Sequence, residues 1–599
     1  MDIKSINFVQ NFKKMMPKNR FYLYISFLFI SILIIFQSIN YVENEGFNPS
    51  DDGVIIAQSY RLLNGEIPHK DFISIRPVVS AYLHAIYFNL PFPLEATARW
   101  FVILEFFAIS LFWIFVLFST FKLKYKQKYN YEITFLSLLL FAFILNLSFY
   151  NLFPCTTIDA ILFSVLGFSL ILSIFKEYLA NKDIVKISFG LLFFSIASLT
   201  RQNFALITII AFAFTGFQLF RKKSYKILII CFLIGLLPFL LYLILLIKND
   251  TLTLFLNQMN GRTELFQTGV LAYAKSFINS GLLILNIALI GAVIYYKYRR
   301  QKNKTANLIE LFKKIMASVV LLYSILTLFF SVIIFFSGIT ELFSYSFDMF
   351  WILAIFVFAV LLLFSLTLKQ KTVLLFAVFL SWTSSISLGD NAPVFVIGIL
   401  ASTILYLLFT LAYLTKLRFK YPIKEQKGII VFSVFVLIVF ILSIFAQRKH
   451  NYRDLSASEL KCNIGEIIPA FGNIKTNPVT FEYLKEIKFL DDSLNAKDKF
   501  VVVPNNAAIY PLLKSKNPFP LDWPQPAEYV GNENYLKDKL KEIIGNSEIY
   551  ILIDKYNSKL MSEKLELIDY NQYDYFNLIF ENSEEIYLNS KYFRAFRTK

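Results

Sequence analysis

Long apolar runs separated by short polar loops organise this chain, and most of the runs have no polar face. Residues 21–35 and 428–445, for example, are filled with Phe, Leu and Ile. A helix rises about 1.5 Å per residue, so roughly twenty such residues cross a hydrocarbon core about 30 Å thick. Runs begin near Phe21, Thr97, Ile133, Thr156, Val185, Phe204, Ile227, Phe277, Met316, Met349, Thr372, Val394 and Gly428, which predicts about thirteen spans. The first follows a basic start (Lys13, Lys14, Lys18, Arg20). It is too long for a signal-peptide core and lacks a small-residue cleavage pattern, so it reads as a retained helix.

The polar positions orient the spans. Loops 122–128, 176–186, 221–226, 297–314, 369–371 and 416–427 are basic, whereas those around Asn151, 337–347 and 389–391 contain almost no Lys or Arg. By the positive-inside bias the basic loops face the cytoplasm. An odd number of spans then leaves the N-terminus inside and the C-terminus outside, as in a multi-pass protein of a plasma or inner membrane. Composition agrees: of 599 residues 57% are hydrophobic and 67 are Phe, with mean hydropathy +0.57, far too apolar for water alone. The net charge of +17 is accounted for by the inside loops and requires no nucleic-acid partner. Cys155, Cys231 and Cys462 form neither a C-x-x-C pair nor a Cys/His cluster.

Two outside segments exceed the length of connectors. In 41–96 a polar stretch precedes 77–92, where Tyr, Phe and Leu recur with few charges, as in a segment lying along the interface. In 248–275 an apolar turn is mixed with Asn257, Gln258, Asn260 and Arg262, as in a juxtamembrane helix and loop. Beyond residue 446 the composition becomes that of an ordinary globular protein. The chain therefore divides into a multi-span unit, 1–446, and a small extracytoplasmic α/β domain, 447–599. In that domain 500–503 and 549–553 read as buried strands and 535–544 as a helix. It contains no phosphate loop, Ser elbow or metal-ligand pair, and reads as a packing or lid domain.

Candidate chemistry begins directly after the first span, in Asn48-Pro49-Ser50-Asp51-Asp52-Gly53. Ser50 is the expected N-cap of a helix from Gly53 to about Leu63, with Asp51 and Asp52 in its first turn, where the dipole favours ionised carboxylates. This pair is either a favourable helix start or a general base or metal ligand. Leu62-Leu63-Asn64-Gly65, Pro68-His69-Lys70-Asp71-Phe72 and Arg76-Pro77 follow. In this order the segment resembles the first outside loop of the C-type (GT-C) membrane glycosyltransferases, in particular those akin to the protein O-mannosyltransferases and dolichyl-phosphate-mannose-dependent enzymes. The second acid is Asp where that family has Glu or a similar acid.

The resemblance implies a GT-C-like fold and transfer of a sugar, with inversion, from a polyprenyl-phosphate donor to an acceptor glycan, lipid or protein at the outer membrane face. Asp51 or Asp52 would be the catalytic base. The departing phosphate needs fixed cations or a metal ion, the metal itself remaining unknown. Arg201, in Leu199-Thr200-Arg201-Gln202-Asn203 between two apolar runs, is the first candidate, replacing the family's usual Lys; a snorkelling side chain is the bland reading. Arg76 is a second phosphate ligand. Asp71 would orient sugar or pair with Arg76, and Asp159, about one turn inside its span, would line the substrate pocket. His69 and His84 lack metal-ligand spacing and read as satisfied interfacial histidines. Asp390 with Asn391 reads as a turn, and Trp523 as a buried anchor or a sugar-stacking ring. A flippase or a polymerase or ligase of lipid-linked glycan is the competing class.

Overall fold

The computed structural model describes residues 34–121, 128–260, 353–358, 366–386, 392–414, 453–494, 499–557 and 565–598, with isolated positions beside them. Among these residues six helices are long and apolar enough to cross a membrane: Leu94–Thr120, Tyr131–Phe149, Thr156–Phe175, Asn181–Thr200, Gln202–Arg221 and Tyr225–Lys248. Two further apolar helices, Leu368–Ser384 and Ile397–Leu414, meet the runs expected near Thr372 and Val394. The starts expected near Phe21, Phe277, Met316, Met349 and Gly428, and the turn at Asp390, lie outside the described residues.

Apolarity puts these helices in lipid, and a few polar atoms and small residues pack them together. Leu94–Thr120 buries Val102, Phe106, Ile109, Trp113 and Leu117 along one face. Its Trp113 Nε1 donates to Ile399 O at 3.1 Å and to Thr403 Oγ1 at 2.9 Å. Asn146 donates to Ser110 Oγ at 3.2 Å and accepts from Gly398 N at 3.0 Å. Each of these groups would be costly to leave unpaired in hydrocarbon.

Outside the spans, the first loop forms a 3₁₀ turn Asp51–Gly53, the helix Val54–Leu63, and a short helix Val79–His84 that runs into a 3₁₀ turn Ala85–Asn89. The C-terminal part carries β1 (Cys462–Asn463) paired antiparallel with β2 (Lys475–Thr476), and a four-stranded sheet of β3 (Phe500–Val503), β4 (Tyr550–Asp554), β5 (Ser583–Ile586) and β6 (Phe593–Thr598). The sheet order is β3-β4-β6-β5, parallel only between β3 and β4. Alternation buries both faces. Val501, Val503, Ile551 and Ile553 pack under the helix Glu533–Asn546 through Leu536, Leu540 and Ile544. Phe500, Val502 and Leu552 face the other way, into one apolar core with Phe47, Ile56, Tyr87, Leu94 and Ala98 of the first loop and the following span.

The orientation read from the basic loops is open to a labelling test in a cysteine-free background. Lys182 and Asp538 are both exposed. An impermeant maleimide applied to intact cells is expected to label Asp538→Cys and to reach Lys182→Cys only after permeabilisation; the reverse pattern would invert the topology.

Candidate functional site

The turn that carries the acidic pair is built by Asn48, not by the expected cap Ser50. Asn48 Oδ1 accepts from Ser50 N at 3.1 Å, Ser50 Oγ at 2.6 Å and Asp51 N at 3.1 Å, whereas the Ser50 side chain makes no capping bond. An Asx turn thus replaces the simple helix start, and the acids fall in a 3₁₀ turn ahead of the helix. The C-terminal part presses directly on this turn. Ala508 N donates to Pro49 O at 3.1 Å, and a Cβ at Gly53 would lie 2.0 Å from Ala508 N. Gly46 has φ +81° and abuts Asp454, whose carboxylate accepts from Phe47 N at 3.0 Å, Thr476 Oγ1 at 2.8 Å and Asn477 Nδ2 at 2.8 Å. Only glycine fits at either position.

The two aspartates have different surroundings. Asp52 turns inward. Its Oδ2 accepts from Asn48 N and from Arg99 Nη2, both at 3.1 Å, while Arg99 also donates to Val42 O at 3.0 Å, Gly46 O at 2.6 Å and Glu95 Oε1 at 3.4 Å. Burial pushes the Asp52 carboxyl up to about 6, against the opposing pull of Arg99 and the Asn48 N–H. Burial likewise pushes Glu45, which accepts from Leu152 N at 3.2 Å, up to about 8. Asp51 points the other way, its side chain 15% exposed, and accepts from Arg453 Nη1.

Arg201 closes the C-terminal end of the span Asn181–Thr200 in an extended conformation. Its guanidinium donates to Thr157 Oγ1, to Thr156 Oγ1 at 3.4 Å and to Ile386 O at 3.5 Å. Among the described residues no carboxylate pairs with it; burial pulls its pKa below the ordinary arginine value, and nearby Arg76 pulls the same way. Arg76 forms a fork with Glu528 of the C-terminal part, at 3.0 and 2.6 Å. Arg76 feels the charge of Asp51 as well as that of Glu528. Arg76 therefore lies within electrostatic range of both Asp51 and Arg201, with Arg453 and Glu528 supplied by the C-terminal part.

Two candidates are placed elsewhere. Asp71 does not pair with Arg76; its Oδ2 accepts from Ile67 N at 2.7 Å in an exposed turn. Asp159 is placed among side chains of neighbouring elements. It is fully buried, accepting from Ser80 Oγ and lying 3.1 Å from His84 Nε2. His69, at φ 68°, ties the first loop to the segment that begins at residue 248, with Nδ1 2.8 Å from Gln258 Oε1 and Nε2 3.2 Å from Tyr242 Oη. Burial pulls its pKa down to about 4, so it is neutral at pH 7. Trp523 is an anchor, buried and donating to Asn505 Oδ1 at 3.0 Å. Sequence reasoning missed Arg453 and Glu528, which no local pattern marks. It also missed Glu95, Arg99 and Glu105, although charges within an apolar run were a usable signal.

No protein-family model and no curated protein matches the chain. Among solved structures, the crystal structure of ArnT from Cupriavidus metallidurans in the apo state aligns at TM-score 0.42 and 9% identity, covering 96% of this chain and 98% of that one. The same protein bound to undecaprenyl phosphate aligns at TM-score 0.42 and 10% identity over the same shares. At these values the likeness leaves the reading of the site to the residues themselves.

Two outcomes are expected. Gly53→Ala should destabilise the protein by about 2 kcal/mol through overpacking, read as a lower midpoint of thermal inactivation in detergent. Ala508→Gly should not rescue it, because the obstruction is backbone; an unchanged midpoint for Gly53→Ala would disprove the contact. Asp52 is raised from an ordinary value near 4 to about 6, so the folded chain retains a proton that the unfolded chain releases. Its contribution to stability is greatest below about pH 4 and is lost as pH rises through about 6. Asp52→Asn removes that loss, so its midpoint should gain on wild type between pH 4.5 and 7.5. A constant difference across that range would place the Asp52 pKa elsewhere.

Proposed function

We propose that this chain is a GT-C-type membrane glycosyltransferase that moves a sugar from a polyprenyl-phosphate donor to an acceptor at the outer membrane face. The observation that carries this reading is that Arg76 lies within electrostatic range of Asp51 on one side and of Arg201 on the other, joined to the order of motifs in the first loop. A base for the acceptor and cations for a leaving phosphate are the two requirements of such a transfer.

Asp51 is the preferred base. It is held by the Asn48 turn, is partly exposed, and lies against Arg453. The acceptor O–H or N–H gives its proton to Asp51 as the acceptor atom forms a bond to the anomeric carbon. The bond from that carbon to the phosphate oxygen breaks, and its electron pair leaves on the polyprenyl phosphate. Attack opposite the leaving group in a single displacement inverts the anomeric configuration. Arg201, its charge not matched by any described carboxylate, meets the charge that develops on the phosphate, and Arg76 supports it while oriented by Glu528. Asp52 holds the turn rather than the acceptor, since its accepting oxygen is already engaged by Asn48 and Arg99.

Transfer from lipid-linked sugar by the purified protein tests these roles. Asp51→Asn should lower kcat by about 100-fold or more, while Asp52→Asn retains measurable transfer. Arg201→Ala should lower kcat/KM by about 100-fold, and Arg201→Lys should recover part of that loss, keeping the charge without the fork. Full activity in both aspartate variants would sink the assignment of the base. Failure of the wild type to turn over any polyprenyl-phosphate sugar would sink the reaction itself.

A further inference from the structure

His84, Glu105 and Asp159 converge at a point that the transfer chemistry leaves unused. His84 ends the interfacial helix Val79–His84, Glu105 projects from the span Leu94–Thr120, and Asp159 lies in the first turn of Thr156–Ile171. They are 1%, 6% and 0% exposed. Each offers a donor atom, and these atoms lie within 4.8 Å of one another. We propose that the three side chains bind one divalent transition-metal ion of the zinc class, which pins the interfacial helix to two spans.

Four observations carry this. Glu105 Oε2 is buried and has no hydrogen-bond partner, although a bare carboxylate oxygen away from water is costly. His84 Nε2 stands 3.1 Å from both Asp159 oxygens, close to the spacing of two ligands that each lie about 2.0–2.2 Å from one ion. The other ring nitrogen, Nδ1, is held by Tyr87 Oη, and Ser80 Oγ donates to Asp159 Oδ2; metal-binding histidines and carboxylates carry such outer partners to fix their orientation. Finally, two carboxylates and a neutral imidazole sum to a charge that a dication cancels. One imidazole and two carboxylates suit Zn²⁺ and its first-row neighbours better than Mg²⁺ or Ca²⁺, which prefer oxygen and water. Three protein ligands leave a fourth position for water.

The ion would act through structure. Ser80 and His84 follow closely on Arg76 and Pro77, so anchoring their helix fixes where Arg76 leaves the membrane surface. The site itself does not depend on the proposed reaction.

Elemental analysis of protein purified without chelators, after removal of any affinity tag, is expected to find about one zinc-class ion per chain. Glu105→Gln, which preserves shape and hydrogen bonding, should lose that ion, as should Asp159→Asn. After chelation, added Zn²⁺ should raise the thermal midpoint of the wild type and leave that of Glu105→Gln unmoved. Co²⁺ added to chelated wild type gives a second readout that does not require a variant to fold: a visible d–d absorption band that Zn²⁺ displaces. Wild type that carries no metal as purified and gains neither stability with Zn²⁺ nor a Co²⁺ band would overturn the proposal. So would a Glu105→Gln variant that binds as wild type does, which would leave a proton-sharing cluster in its place.

Discussion

The first loop and the C-terminal part depend on one apolar core shared by segments some four hundred positions apart in the chain. Phe47, Ile56, Tyr87 and Leu94 are buried together with Ile464, Phe471, Phe500 and Leu552. Each such side chain contributes about 1.5–3 kcal/mol when fully buried, which offsets a backbone ordering cost of about 1–2 kcal/mol per residue in a long outside loop. A loop that would be mobile on its own is thereby given a fixed shape. The polar contacts then set its register: Pro49 O meets Ala508 N, and Asp454 takes the Phe47 N–H. Neither bond would add much to stability in water, but inside this core each prevents a buried backbone group from being left bare.

The same arrangement explains how so many charges sit at the membrane boundary. Arg61 is answered by Asp522 at 2.9 Å and Glu66 at 2.6 Å, Arg76 by Glu528, Arg99 by Asp52 and Glu95, and Arg453 by Asp51. Three of the four arginines, Arg61, Arg76 and Arg453, join the first loop to the C-terminal part. Removing one partner would leave a desolvated charge, the expensive half of a buried pair, so the C-terminal part serves the loop electrostatically as well as sterically. Against that pattern Arg201 stands out, because hydroxyl and carbonyl oxygens orient its guanidinium without cancelling its charge. A cation arranged in this way is suited to an anion that comes and goes.

Apolar runs and strand patterns were legible in the sequence because each is a local property. The runs near Thr97, Thr156 and Ile227 meet helices within a few positions, and 500–503 and 549–553 meet β3 and β4. The motifs of the first loop were legible for the same reason, lying close together in the chain. Its internal wiring was not. Ser50 and Asn48 are both good capping residues, and only the packing of Pro49 on Ala508 selects Asn48. The partners of Arg76 and Asp51 come from positions 528 and 453, too distant for any local pattern to register. Asp159 looked like a pocket residue because an acid inside a span must face something polar. What it faces is His84, which chain spacing could not reveal, since its partners come from two other elements.

The division of labour within the acidic pair follows from the turn that holds it. Successive residues of a 3₁₀ turn project about 120° apart, so Asp51 and Asp52 cannot face the same environment. With Asn48 clamping the turn and Gly53 flush against Ala508, one carboxylate is driven inward to Arg99 and the other turned toward Arg453. Exchanging their roles would require the turn to rotate as a unit, which the contact at Gly53 forbids. Asp52 secures the backbone through Asn48 and Arg99, while its neighbour keeps a partly exposed side chain against Arg453, so the acidic pair is not two equivalent acids.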